Sequence, residues 1–409
     1  MTVTSRKSVT SLMSAIAETG RDPARGGYSR PVYSTAELDL RSWFIAEASA
    51  RGLDVETDRN GIIWAWWDAP SGDRTGAIVT GSHLDSVPGG GAFDGPLGVA
   101  SALAAVDALR AQGRRPERAI AIAVFPEEEG SRFGIACLGS RILTGAMPVE
   151  RALALKDDDG TTFAELSAKA GLDPAHMGAD RERLGQLGAF IELHVEQGRG
   201  LIDLGQPVAI GSSILGHGRW RLSFTGQGNH AGTTLMRDRR DPLVAAGALI
   251  GQIPGIASRF DGARATVGRL QPVPGGTNVI ASRVDVWLDV RHPDDDVTAQ
   301  VVAEISTRAE LLAFEQGCTV TVREESLSPT VSFDSDLRRR LEVALPDAPV
   351  LDTGAGHDAG ILAAHIPTAM LFVRNPTGVS HAQEEHVEDA DAEAGALVLA
   401  DVLMSELGV

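Results

Sequence analysis

Histidines and carboxylates gather in a few short segments of this chain, a donor mixture that suits divalent cations and proton transfer. The first segment, AIVTGSHLDSVPGGGAFDGPLGV, sets His83 and Asp85 one residue apart after an apolar run, with Asp94 in a Gly-rich loop further on. In an extended HxD stretch both side chains point the same way, so Asp85 can accept one imidazole N–H and leave the other nitrogen for a metal. The second, AIAIAVFPEEEGSRFG, drives an apolar strand into Glu127, Glu128 and Glu129. Consecutive carboxylates at such a mouth repel one another and lose hydration, which calls for a nearby cation, either Arg132 or a metal ion. The third, AFIELHVEQGRG, carries His194 and Gln197. Then come GQGNHAGTT with His230, GGTNVI with Asn278 and DVRHP with Arg291. GAGHDAG with His357 and NPTGVSHAQEEH with His381 complete the set. Singly, each reads equally well as a turn, a solvated acidic loop or a hydrogen-bonded structural histidine; their order along the chain is what distinguishes them.

The elements that must carry these residues are α/β in style. Gly61 to Asp68, Ala77 to Thr80 and Ala119 to Phe125 read as strands. Between the last two, PLGVASALAAVDALRAQG reads as a crossover helix, with Pro96 near its start and Gly113 where a C-cap is expected. Several of the reactive segments follow predicted strands, where an open parallel sheet presents its ligand crevice. From Trp220 the pattern becomes strand, helix, strand, strand, helix (roughly Thr298 to Gln316) and strand. That βαββαβ order is ferredoxin-like and predicts an inserted domain. We therefore expect a discontinuous catalytic domain, 1–211 and 330–409, around an insertion at 212–329.

Composition bounds the function. The 409 residues, 43% hydrophobic and 22% charged, are those of an ordinary globular protein. A formal net charge of −18 repels phosphate backbones and anionic lipid, so neither nucleic acid nor a membrane surface is an expected partner. No apolar run approaches membrane-helix length, and the first twenty residues lack a signal-peptide core. Cys137 and Cys318 alone exclude a disulfide framework and a cysteine-rich zinc site, and they fit a cytoplasmic setting. Any metal must be held by His and carboxylates.

Taken together, the ordered motifs resemble the metal-dependent amidohydrolases of the M20 superfamily, specifically the branch of N-carbamoyl-L-amino-acid hydrolases, β-ureidopropionases and allantoate amidohydrolases. The likeness runs from about residue 10 to the C-terminus. It implies a zinc-exopeptidase-like fold: a central mixed, mostly parallel sheet flanked by helices, with the insertion serving as lid and dimerisation domain. It implies His83, Asp94, Glu129, His194 and His381 as ligands of two divalent ions (Zn, Mn, Co or Ni), with Asp94 bridging. Glu128 becomes the catalytic base, and the extra Glu127 leaves that register open by one residue. His230 would stabilise an oxyanion. Gln197, His230, Asn278, Arg291 and His357 fall on substrate-contacting positions, with Arg291 forking an α-carboxylate and Asn278 beside it. The histidine at 194, where peptidase branches carry a carboxylate, favours ureido substrates. The expected reaction is hydrolysis of an N-carbamoyl-L-amino acid to the amino acid, CO2 and ammonia by a homodimer. Allantoate, ureidoglycolate and N-formyl amino acids are the alternative substrates, and Arg374 is a candidate reader of a second carboxylate. A non-catalytic binder would lack the base or a ligand, whereas every such position is filled here.

Overall fold

The computed structural model describes residues 7–406. Part of the stretch read above for a leader, residues 1–6, and the last three residues lie outside the described residues. By internal contacts the chain divides into two compact units, one of Ser213–Val331 and one of the segments before and after it.

The larger unit is built on β1 (Asp54–Thr57), β2 (Ile63–Trp67), β3 (Ala77–His83), β4 (Ile120–Phe125), β5 (Leu187–Val195) and β6 (Val208–Ile214). The smaller unit carries β7 (Gly216–Thr225), β8 (Asn229–His230), β9 (Arg264–Val273), β10 (Val279–Ile280), β11 (Arg283–His292) and β12 (Thr319–Ser328). The short β13 (Val331–Ser332), with β14 (Val350–Thr353) and β15 (Thr368–Val373), completes the main sheet. Its order is β1-β2-β4-β3-β5-β15-β6-β13, with β14 also on β6. Strands β4, β3, β5 and β15 run parallel side by side. The β1–β2, β2–β4 and β15–β6 pairs are antiparallel. The sheet is thus mixed with a parallel centre, as expected. Every residue of β3, β4 and β15 is buried, because strands covered on both faces hold near-continuous apolar runs.

The crossover helix spans Pro96–Ala111, with proline in its first turn; Gln112 is its C-cap and Gly113 follows at φ 73°, the left-handed glycine expected to close the helix. Its Ala- and Leu-rich body and the closing helix Asp389–Glu406 pack with β3, β5 and β15 in the main core. The strand expected at Gly61 to Asp68 is shorter, Ile63–Trp67, because the Asp58 carboxylate takes the N–H groups of Asn60 and Ile62 and holds the approach as a turn.

In the smaller unit the four long strands are ordered β12-β7-β11-β9. With strands numbered in sequence that is 4-1-3-2, the ferredoxin-like arrangement. The helices Pro242–Ile250 and Asp295–Glu315 supply its core together with the strands. The second helix starts three residues earlier than the periodicity suggested, because the Asp294 side chain accepts the Asp296 N–H as N-cap. The β8–β10 pair was not visible in the sequence.

Candidate metal centre

The parallel centre of the sheet brings the reactive segments to one edge. His83 is the last residue of β3, Glu128 and Glu129 follow β4, His194 is the penultimate residue of β5, and His381 lies beyond β15. Since these strands are neighbours and parallel, their carboxyl ends converge. Two donor groups result: His83, Asp94 and His194, and then Asp94, Glu129 and His381, each with its ligand atoms within 4.8 Å of one another. Asp94 belongs to both. Its Oδ1 lies 3.5 Å from His83 Nε2 and 3.1 Å from His194 Nε2, and its Oδ2 lies 3.3 Å from His381 Nε2. Glu129 Oε2 approaches the same His381 nitrogen at 3.5 Å.

Both rings on strands are aimed by their other nitrogen. His83 Nδ1 is 3.0 Å from the Asp85 carbonyl and His194 Nδ1 is 3.0 Å from the Val195 carbonyl, so each Nδ1–H donates to backbone and each Nε2 is left as a lone pair. These two Nε2 atoms are buried without a hydrogen-bond partner. An orphaned buried acceptor is costly unless something electropositive meets it, and a pair of them beside a shared carboxylate fits divalent cations. Gly95 makes room: its φ is 83° and a Cβ there would sit 2.5 Å from the His83 ring.

Asp85 does not act as the HxD spacing suggested. Its carboxylate is 3.7 Å from His83 Nδ1 and instead accepts the backbone N–H groups of Glu128 (3.2 Å) and Glu129 (3.1 Å). The strand ends at His83, so two-residue alternation no longer governs where Asp85 points. Asp85 therefore ties the loop after β3 to the glutamate loop after β4. In that loop Glu127 turns back on itself at φ 53°, and its carboxylate accepts the N–H groups of Arg132 and Phe133 at 3.0 and 2.7 Å. Glu128 and Glu129 face the imidazoles. The Arg132 guanidinium goes to Asp157 and the Val32 carbonyl, so it does not compensate this pair.

Glu128 stands outside both donor groups, with Oε2 3.6 Å from His83 Nε2 and Oε1 4.0 Å from His357 Nδ1. The Cys137 thiol donates to Oε1 at 3.6 Å. Burial pushes the Glu128 carboxyl well above the ordinary range despite the neighbouring imidazole of His83. Burial, with Asp94 close by, pushes Glu129 up to about 7. For Asp94 burial is outweighed by the imidazoles of His194, His381 and His83 gathered around it, which hold it well below the usual carboxylate range. Burial keeps His357 neutral, and the neighbouring imidazole of His194, whose ring centroid is 4.5 Å away, pushes the same way. Its Nδ1 has no partner. Gln197 Nε2 donates to Asp94 Oδ2 at 3.1 Å and to Ser380 Oγ at 3.0 Å.

The remaining sequence-selected residues lie in the Ser213–Val331 unit. His230 on β8 faces Val279 on β10, and the Ala231 N–H donates to the Asn278 carbonyl at 2.9 Å, so His230 and Asn278 are neighbours. Arg291 is not beside them. It sits near the far end of β11, eight residues from Arg283, where that strand begins just beyond β10. At about 3.3 Å per strand residue, eight residues span roughly 26 Å. The Arg291 guanidinium is forked by Asp289, at 2.8 and 3.3 Å. Arg374 is likewise engaged, gripping Asp391 at 2.8 and 3.1 Å, so the expectation that it reads a second substrate carboxylate is withdrawn. Among residues the sequence did not single out, Glu192 accepts from Ser82 Oγ and the Ala359 N–H beneath His194, and Glu385 accepts from the backbone of Asp94.

A parallel-centred α/β sheet with a ferredoxin-like insertion, carrying two His/carboxylate donor groups that share an aspartate, defines a hydrolase of the divalent-metal class. The chain belongs to Peptidase family M20/M25/M40, whose model matches residues 79–405. It is 36% identical over 388 residues to the N-carbamoyl-L-amino acid amidohydrolase of Geobacillus stearothermophilus, covering 94% of each chain. It is 30% identical over 403 residues to the allantoate amidohydrolase of Bacillus subtilis (strain 168), covering 97% of each. The crystal structure of an amidase of the hydantoinase/carbamoylase family from Burkholderia multivorans matches with a TM-score of 0.86 and 32% identity, over 97% of this chain and 96% of that one. No helix of the described residues is long and apolar enough to cross a membrane.

Proposed function

We propose that this protein hydrolyses the ureido C–N bond of an N-carbamoyl-L-amino acid, releasing the amino acid and a carbamate that decays to CO2 and ammonia. The observation that carries the reading is the pair of donor groups sharing Asp94, with Glu128 buried beside them and outside both. We assign His83, Asp94 and His194 to one divalent ion, and Asp94, Glu129 and His381 to a second. When bound, such ions supply Lewis acidity at the substrate oxygen and a water acidified to near neutrality.

The chain's own groups do the rest. Glu128, desolvated and outside both ligand sets, takes the proton of the attacking water and hands it to the departing nitrogen. Asp85 fixes that carboxylate through the backbone N–H groups of Glu128 and Glu129. His230 Nδ1 accepts the Gly232 N–H at 3.1 Å, so the ring proton lies on Nε2 and faces outward as an oxyanion donor. Neutral His357 and Gln197 meet the polar end of the substrate, and Arg291, pre-oriented by Asp289, meets the α-carboxylate.

The separation of Arg291 from His230 and Asn278 supports a homodimer: one copy of the Ser213–Val331 unit cannot offer both to one small substrate, whereas two copies exchanging contacts through this unit can. A cytoplasmic setting is supported by two cysteines that are both free and buried. The test is ammonia release from a panel of N-carbamoyl-L-amino acids, allantoate, ureidoglycolate and N-formyl amino acids, using chelator-stripped protein with Zn2+, Mn2+, Co2+ or Ni2+ restored singly. Metal-dependent turnover highest on a carbamoyl amino acid is expected. Preference for allantoate would move the protein to that activity, and turnover without metal would overturn the reading.

A further inference from the structure

The two proposed ion positions are not held with equal rigidity. His83 and His194 stand on β3 and β5, inside a hydrogen-bonded parallel sheet, and the whole of both strands near them is buried. Asp94 and His381 stand on loops. His381 is at φ 58° in the left-handed region and its side chain is half exposed. Two such loops converge on one ion only if something binds them together, because ordering a free loop around a ligand costs conformational entropy at the moment of binding.

Glu385 supplies that tie. It is 4% exposed, and its Oε1 accepts the N–H groups of Phe93 and Asp94 at 3.2 and 3.0 Å. Its Oε2 accepts the Ser380 hydroxyl at 3.2 Å, next to His381 in the chain. Ser380 Oγ in turn accepts Gln197 Nε2, which also reaches Asp94 Oδ2. The fit leaves no slack: a Cβ on Gly91 would lie 2.1 Å from Glu385 Oε1. One carboxylate thus closes the Asp94 loop onto the His381 loop, Glu385 itself lying 291 residues from Asp94 in sequence.

We propose that Glu385 is a positioning residue for the Asp94/Glu129/His381 ion alone, so that its loss turns a two-ion protein into a one-ion protein. The His83/Asp94/His194 position keeps its two strand-borne imidazoles and loses little. Supporting contacts of this kind change metal affinity by about 10- to 100-fold, and here the whole effect falls on one of two ions.

This inference rests on the two-ion assignment above, and the experiment separates the two. Wild type, Glu385→Ala, Glu385→Gln and Ser380→Ala are stripped with chelator and titrated with Co2+ alone, followed by calorimetry and by the visible Co2+ absorption. Wild type binding two Co2+ per chain is required by the assignment; binding of one or none refutes the assignment itself. Given two, Glu385→Ala is expected to weaken one Co2+ by 10- to 100-fold while the other stays within about threefold. Ser380→Ala, which removes one link only, weakens the same ion less, and Glu385→Gln falls between. Equal weakening of both ions, or of neither, overturns the proposal. Far-UV circular dichroism of the stripped variants checks folding, and Ser380→Ala, a small change at a part-buried site, serves if Glu385→Ala does not fold.

Discussion

Replacing Glu128 with Gln is the most informative single change at the site. Glutamine keeps the size of the side chain and can still accept from the Cys137 thiol, but it cannot carry a proton away from water. Glu128 lies outside both donor groups, so the ions should remain. Removing a general base costs roughly 10²- to 10⁴-fold in kcat, which at about 1.36 kcal/mol per decade is about 3–5 kcal/mol of transition-state stabilisation. KM should move little, because the carboxylate is not in the substrate's carboxylate-binding set. Stability should hold or rise, since the substitution removes a carboxyl whose charging burial opposes. The assay is ammonia release at saturating N-carbamoyl substrate, with metal content of the same samples measured by plasma emission. Glu127→Gln is the control. Its carboxylate serves its own loop through the Arg132 and Phe133 N–H groups, so it should retain activity within about tenfold, the smallest factor ascribed to a working base being larger. If Glu128→Gln kept kcat within tenfold, or lost activity only together with an ion, the assignment of base and ligand along Glu127, Glu128 and Glu129 would be wrong by a residue.

Other expectations can be checked with simpler measurements. Arg374→Ala should leave the preference between acidic and neutral substrates unchanged and lower stability by about 1–3 kcal/mol, because Asp391, buried in the closing helix, loses its fork; a changed preference would contradict the Asp391 pairing. Gly95→Ala should strip metal, since the new Cβ meets the His83 ring at 2.5 Å on a backbone of φ 83°; full metal content would show the loop is freer than described. Burial and the neighbouring Glu192 push Asp358 up to about 8. The folded state therefore binds this proton more tightly than the unfolded chain, so the group's contribution is complete below about pH 4 and lost as pH rises through about 8. Melting temperatures of the stripped protein at pH 5 and pH 8 should differ more for wild type than for Asp358→Asn; parallel behaviour would refute this.

How far the sequence spoke for itself differs from element to element. The central strands were legible because β4, covered on both faces, contains only apolar residues and β3 opens on the apolar run Ala77, Ile78 and Val79. The ferredoxin-like order was legible because its strands and helices alternate with clean periods. The histidines and Asp94 stood out by type. What did not show was which atoms each residue uses. The HxD spacing invited a side-chain pair, yet the strand stops at His83 and the Asp85 carbonyl does the work. Asn278 and Arg291, thirteen positions apart, looked close until β11 carried Arg291 to its far end, away from Asn278 just before β10. Arg374 and Asp391 are paired by a turn and a helix start that no local pattern announces. Glu385 was hidden in plain view in HAQEEH, where two adjacent glutamates look like a solvated loop, and only the fold buries it against the Asp94 backbone. Tertiary placement decided all of these, and periodicity is silent about it.

The central claim, that His83, Asp94, Glu129, His194 and His381 hold two divalent ions on a shared aspartate, is met most directly by anomalous diffraction at a metal absorption edge. Crystals of the metal-replete protein should give two peaks in each subunit, one among His83, Asp94 and His194 and one among Asp94, Glu129 and His381. Anomalous density elsewhere, or none at these side chains in fully loaded protein, would contradict the account.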